Sequence, residues 1–160
     1  MLAAILIVIL ICFSIVIFFG APYLPTLKKE KLAAIELLDL KKGELLLELG
    51  SGDGRMLKEM AKKEVFCVGY ELNPILVLIS RLICWPQRKF VTIKWANFWT
   101  EEFPDANGIY VFLLDRYMEK LNKKILNREK KVPLKLVSYA FKVPKKKYVQ
   151  KKGALFLYQY

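Results

Sequence analysis

Residues 48–55 read Glu-Leu-Gly-Ser-Gly-Asp-Gly-Arg, three glycines spaced two apart at the end of an apolar run. A glycine has no Cβ and accepts positive φ at little cost, so backbone here can turn tightly and approach a ligand closely. The pattern therefore predicts a strand over 44–49, a glycine turn, and a helix over 56–63. Seventeen residues past Gly54 stands Glu71, closing a second predicted strand over 65–70. In α/β folds that bind nucleotides, an acid at that place takes the hydroxyls of a ribose.

The spacing separates two cofactor classes. A dinucleotide site wants Gly-x-Gly-x-x-Gly and a helix N-terminus free to receive a pyrophosphate. This chain has Gly-x-Gly-x-Gly, with Asp53 inside the turn and Arg55 where the last glycine would stand. An acid there repels pyrophosphate, which argues against a nicotinamide oxidoreductase. A positively charged cofactor such as S-adenosylmethionine, with its sulfonium and ammonium, is favoured instead by Glu48 and Asp53. Methyl transfer becomes the leading reading.

Three segments carry a resemblance: Pro22-Tyr23-Leu24-Pro25-Thr26, the glycine motif Leu49-Gly50-Ser51-Gly52-Asp53-Gly54-Arg55, and Gly69-Tyr70-Glu71-Leu72-Asn73-Pro74. Over residues 21–141 the chain resembles the small, membrane-anchored class I methyltransferases related to the lysine methyltransferases of the mitochondrial ATP synthase C-subunit and the adenine nucleotide translocase. That resemblance implies a Rossmann-like α/β domain with a mostly parallel seven-stranded sheet ending in an antiparallel hairpin, preceded by one transmembrane helix. It also implies S-adenosylmethionine as cofactor and a lysine of a membrane protein as acceptor.

The anchor is visible without the resemblance. Residues 1–19 hold no charge and a single hydroxyl, Ser14, a length that just spans a bilayer core. A cleaved signal peptide is the competing reading, but the segment lacks a basic start and its apolar stretch is too long. Lys28, Lys29 and Lys31 follow directly, so the positive-inside rule predicts a single-pass membrane protein with its catalytic domain in the cytoplasm. The expected organisation is an anchor over 1–20, the Pro-Tyr-Leu-Pro-Thr motif with an N-terminal helix over 21–43, and the cofactor-binding domain over 44–160.

Histidine is absent, which removes Ser-His and Cys-His nucleophilic catalysis and the commonest zinc sites. No metal is expected. The three cysteines, Cys12, Cys67 and Cys84, form no Cys-x-x-Cys pair and read as unpaired thiols in a reducing compartment or simply as small core residues.

Further along, periodicity predicts helices over 27–40, 74–84 and 116–127, and strands over 90–95, 109–114, 134–141, 148–151 and 154–160. The crossovers are short: residues 100–108 and 142–147 leave no room for full helices. The fold is thus a trimmed one, and one face of the sheet near strands four and five is expected to be thinly covered and free to rest on a membrane or a partner.

By resemblance, the cofactor site comprises Glu48, Gly50, Ser51, Gly52, Asp53, Gly54, Glu71, Leu72, Asn97 and Phe98, with Leu72 packing on the adenine and Asn97 bonding its amino group. Glu71 has a plainer alternative as the N-cap before Asn73-Pro74, and Asn97 as an ordinary loop residue. On the acceptor side the candidates are Asp115, after the fourth strand, and Tyr23. Asp115 can equally be a helix N-cap, and Tyr23 an aromatic at the membrane interface.

Charge is lopsided. Residues 116–152 hold fourteen basic and two acidic residues, which accounts for the whole net charge of +12. An anionic membrane surface is the expected partner, against a merely solvated lysine-rich face; nucleic acid is disfavoured, because stacking aromatics are few among these lysines. Beside the enzyme stands a second reading, a non-catalytic basic scaffold at the membrane with a degenerate methyltransferase fold.

Overall fold

A computed structural model describes residues 28–128 and 132–160 of the chain. The expected anchor over 1–20, the Pro-Tyr-Leu-Pro-Thr motif and Tyr23 lie outside the described residues. Among the described residues no helix is long and apolar enough to cross a membrane.

The elements run α1 (Lys28–Leu38), β1 (Leu45–Leu49), α2 (Arg55–Ala61), β2 (Phe66–Glu71), α3 (Pro74–Ile83), a 3-10 turn (Trp85–Gln87), β3 (Val91–Trp95), β4 (Gly108–Val111), α4 (Asp115–Leu126), β5 (Lys135–Tyr139), β6 (Gln150–Lys152) and β7 (Leu155–Gln159). The strands form one seven-stranded sheet in the order β3-β2-β1-β4-β5-β7-β6. Strands β1 to β5 pair in parallel and β7 runs antiparallel to both β5 and β6. This is the class I Rossmann-like methyltransferase architecture. The strand order reverses between β1 and β4, the switch point where open α/β sheets bind ligands beyond the carboxyl ends of their strands.

Alternation of side chains along the strands splits the core in two. Leu46, Tyr110, Val137, Leu155 and Leu157 face α1, α2 and α3. Leu47, Leu49, Ile109, Val111, Leu136, Phe156 and Tyr158 face the other way, toward Met118, Leu121 and Ile125 of α4. Both faces of β4 and β5 are therefore covered, contrary to the expectation of a bare face near strands four and five. The physical reason is α1: Ala34, Ile35, Leu37 and Leu38 are buried against β5 and β7, where a missing crossover helix would otherwise lie.

Helix α1 also stops earlier than its apolar pattern predicts. Asp39 adopts φ 40°, outside helical space, and the chain turns through Gly43 into β1. Between β3 and β4, and between β5 and β6, no helix forms, as the short spacing requires.

Leu38 is wholly buried and Leu32, one helical face away, is 51% exposed. Leu38→Ala should cost about 2–5 kcal/mol in urea unfolding with an unchanged m-value, while Leu32→Ala costs under about 0.5 kcal/mol.

Candidate functional site

The glycine turn is built as its sequence demands. Gly50, Gly52 and Gly54 have φ of 79°, 55° and 77°, and the amides of Gly50 and Ser51 both donate to the Tyr70 carbonyl at 2.9 Å, which pins the turn to β2. Two further contacts explain why side chains are excluded. A Cβ on Gly54 would stand 2.9 Å from Ser80 Cβ and 3.0 Å from Cys84 Sγ of the α3 region, and one on Gly69 would stand 2.8 Å from Ser51 Cβ. Gly69 pairs with Glu48 in the parallel register of β1 and β2. Its place in the site is not evident from sequence, although it heads the Gly-Tyr-Glu-Leu-Asn-Pro segment.

Glu71 ties the turn to the next helix. Its carboxylate accepts from the Gly52 amide and from the Asn73 amide, each at 2.8 Å, and it is 4% exposed. The reading of Glu71 as a surface N-cap is thus set aside: the cap is Asn73, whose Oδ1 accepts from the Ile75 amide at 2.9 Å, with Pro74 at the first helical position. Burial pushes the Glu71 carboxyl above its usual range, and the donated backbone N–H groups oppose that rise.

Glu48, the penultimate residue of β1, is 5% exposed. Its Oε2, Ser51 Oγ and Asn73 Nδ2 are buried and have no hydrogen-bond partner among the described residues. Burial first, then the carboxylates of Asp53 and Glu71, hold the Glu48 carboxyl well above the ordinary carboxylate range. Three unsatisfied polar atoms around one turn, two of them able to accept, suit a ligand that brings donors and positive charge.

Asp53 is buried but not an open acceptor. Arg55 Nε donates to its two carboxylate oxygens at 2.9 and 2.8 Å, and the guanidinium closes a salt bridge on Oδ2. The charge expected to attract a cationic cofactor is therefore matched within the turn, and the attraction rests on Glu48 and Glu71. Leu72 is half-buried, and its carbonyl accepts from Trp95 Nε1 at 3.0 Å, so Trp95 joins the site's rim.

Asn97 follows β3, at the same carboxyl edge as Glu71. Its Oδ1 accepts from the Trp99 amide at 3.1 Å, an Asx turn of the kind the plainer reading supposes; one lone pair on that oxygen remains for a further donor. Phe98 is buried against Trp99, their ring centroids 4.6 Å apart, and Trp99 lies 5.9 Å from Tyr117. Asp115 is the first residue of α4 and exposed; the N-cap is Leu114 and no side chain caps the helix. Burial is the usual means by which a carboxylate becomes a competent base, and Asp115 lacks it. Cys67 and Cys84 are buried, and burial pushes the Cys84 thiol up to about 11, which leaves both as core residues rather than nucleophiles.

A cleft of about 400 Å³ lies at the amino ends of β1, β4 and β5, between Glu44, Asn107, Lys135 and Tyr160. It is remote from the glycine turn.

Residues 48–150 match the family model described as the ANTKMT methyltransferase domain. The chain is 32% identical over 125 residues to the human ATP synthase C-subunit lysine N-methyltransferase, covering 77% of this chain and 53% of that protein. A protein-lysine N-methyltransferase of Saccharolobus islandicus is 29% identical over 76% of this chain and 78% of its own length. Among solved structures, an RNA methyltransferase from Salinibacter ruber in complex with S-adenosyl-L-homocysteine superposes with a TM-score of 0.75 at 22% identity, covering 86% of this chain and 92% of that one. The chain spans about half the length of the human relative.

The raised Glu48 carboxyl makes a stability prediction for the ligand-free protein. A folded value above the ordinary 4.5 means the native state holds the extra proton, so stability is greatest below that value and falls as pH rises toward the folded value. Glu48→Gln should remove this slope, roughly 1.4 kcal/mol per pH unit across the window, and make the variant more stable than the parent at neutral pH. Urea unfolding at a series of pH values checks it, and a variant less stable than the parent at pH 7 contradicts it.

Proposed function

The chain belongs to the ANTKMT methyltransferase domain family, and from that premise we propose that it transfers a methyl group from S-adenosylmethionine to a lysine side chain of a membrane protein. The observation that supports this most is the set of unsatisfied buried atoms at the glycine turn: Glu48 Oε2, Ser51 Oγ and Asn73 Nδ2. Glu48 would hold the cationic amino acid end of the cofactor, Glu71 the ribose, and Leu72 with Phe98 the adenine, with Asn97 Oδ1 offering its remaining lone pair. When bound, the cofactor supplies a methyl group already activated by its sulfonium.

What the protein adds is alignment. Methyl transfer is an in-line displacement, so holding donor and acceptor in register contributes most of the rate once the amine is neutral. Asp115, exposed at the start of α4, suits orientation of an acceptor ammonium through its charge better than abstraction of a proton. Tyr23 belongs to the same acceptor channel in this reading. The uncharged residues 1–19 would hold the domain at a membrane by a single pass, with the catalytic domain on the cytoplasmic side, raising the effective concentration of a membrane-embedded acceptor. The excess of positive charge over 116–152 draws the domain toward an anionic membrane surface from a distance.

Calorimetric titration of S-adenosylmethionine and, separately, NADH into the detergent-solubilised full chain tests the cofactor. Binding of the first alone, weakened about 100-fold or more by Glu71→Ala, is expected, since the lost carboxylate leaves two buried amides unpaired. Binding of neither ligand would favour the scaffold reading. With radiolabelled cofactor and membrane fractions as acceptor, Asp115→Asn should lower kcat/KM about tenfold without moving the pH profile, whereas a shifted profile would make Asp115 the base.

A further inference from the structure

Between residues 74 and 95 the chain has four basic residues, Arg81, Arg88, Lys89 and Lys94, and no acid. The same stretch holds half of the large apolar side chains that stand exposed among the described residues. Leu78 is 61% exposed, Leu82 68%, Trp85 63% and Trp95 65%. Leu78, Leu82 and Trp85 follow one another at helical spacing, so they form a single ridge on the side of α3 away from the core. The inner side is already satisfied by Leu76, Val77 and Ser80. A helix packed on one side and facing water on the other normally carries charge outward; α3 carries leucine and isoleucine.

The rim of this ridge is cationic and ordered. Arg88 lies 4.9 Å over the Trp85 ring and donates to the Trp85 carbonyl at 3.3 Å. Trp95, on the edge strand β3, is fixed by its Nε1 bond to the Leu72 carbonyl while its ring stays exposed. Lys94, the residue before it, points to the other face of the sheet, its ammonium 5.4 Å from the ring centre of Tyr70. Indoles, leucines and flanking bases on one surface are the chemistry of an element that lies in the headgroup region of a bilayer.

We propose that the α3 and β3 edge is a docking surface for an anionic lipid leaflet, with Leu78, Leu82, Trp85 and Trp95 entering the boundary of the acyl chains and Arg88 and Lys89 engaging headgroup phosphates. Charge decides the occupant. A second copy of this chain would bring the same bases against their own kind with no acid of this stretch to answer them, while an anionic leaflet answers them. The surface is distinct from the lysine-rich C-terminal residues: β3 and β6 are the two outer strands of the sheet, roughly 29 Å apart at about 4.8 Å per strand. Residues 142–147 also lie on the α4 face, where Val143 is buried and Lys142 stands over Phe156, so a leaflet on the outer side of α3 leaves them out of contact. Since Trp95 adjoins Leu72, the docked surface reaches the carboxyl edge of the sheet. The inference stands on exposure and charge, and does not require the proposed methyl transfer.

The test uses the full chain in lipid nanodiscs, either phosphatidylcholine alone or with about a third phosphatidylglycerol. The chain has three tryptophans, Trp85, Trp95 and Trp99, so a Trp99→Phe background leaves only the two on the surface to report. Brominated acyl chains quench indoles that reach the acyl boundary, and iodide quenches those in water. Expected in the anionic discs are bromine quenching of about half the emission and iodide access about threefold below that in neutral discs, with the protection lost at high salt. Leu78→Glu/Leu82→Glu should restore iodide access with the far-UV spectrum retained, and Lys145→Ser/Lys147→Ser should change nothing. Full iodide access in both disc types would overturn the proposal. So would protection that ignores lipid composition: if it rises with the number of protein copies per disc the occupant is a second copy, and if it does not, the occupant is the chain's own N-terminal residues.

Discussion

The carboxylate of Glu71 is the point on which the site depends. With one oxygen on the Gly52 amide and the other on the Asn73 amide, it joins two segments of the chain that meet only through the fold. The first is the glycine turn that ends β1. The second is the start of α3. Charge-assisted bonds of this kind are stronger than neutral ones, and both are buried, so neither amide has water as a substitute. Through Asn73 the same carboxylate sets the cap that lets Pro74 open α3. Through Gly52 it holds the turn that gives Glu48 and Ser51 their inward position.

Around that clamp the fold covers its sheet with few helices. Three of the four described helices share one face, and α4 with the loop residues Phe98, Ala106 and Val143 fills the other. The economy works because α1, which precedes the first strand, is buried against β5 and β7 at the far side of the sheet. Trimmed crossovers therefore do not leave the centre bare. They leave the periphery lightly dressed, and the β3 edge is where exposed leucine and tryptophan collect.

Much of this is legible in the sequence, for reasons that can be named. Apolar alternation and glycine punctuation act locally, so they place every strand and helix among the described residues to within a few positions. Distance from the glycines identifies Glu71, and Gly153 marks the hairpin of β6 and β7. What escapes are relations across space. That α1 fills a crossover's place follows from sheet order, which no local pattern encodes. Gly69 matters because Ser51 lies against it, a contact between segments. Asp53 reads from sequence as an open acid, but Arg55, two residues on, neutralises it; both partners are visible in the sequence, and the turn geometry alone decides that they pair.

That pairing changes how charge selects a ligand at this site. Two acids in a turn would repel any anion from a distance; once Asp53 is held by Arg55, the long-range field weakens and selection becomes local. The discriminating group is then Glu48, buried, unmatched by any described cation and held toward its neutral form by burial. An arriving ammonium offers the counter-charge that would let Glu48 ionise, so the attraction grows as the ligand seats rather than steering it from solvent. A pyrophosphate offers the reverse: it would raise the cost of ionising Glu48 further and meet Glu71 besides. The same buried carboxyl that costs the ligand-free protein stability at neutral pH is, on this argument, what makes the glycine turn select for positive charge.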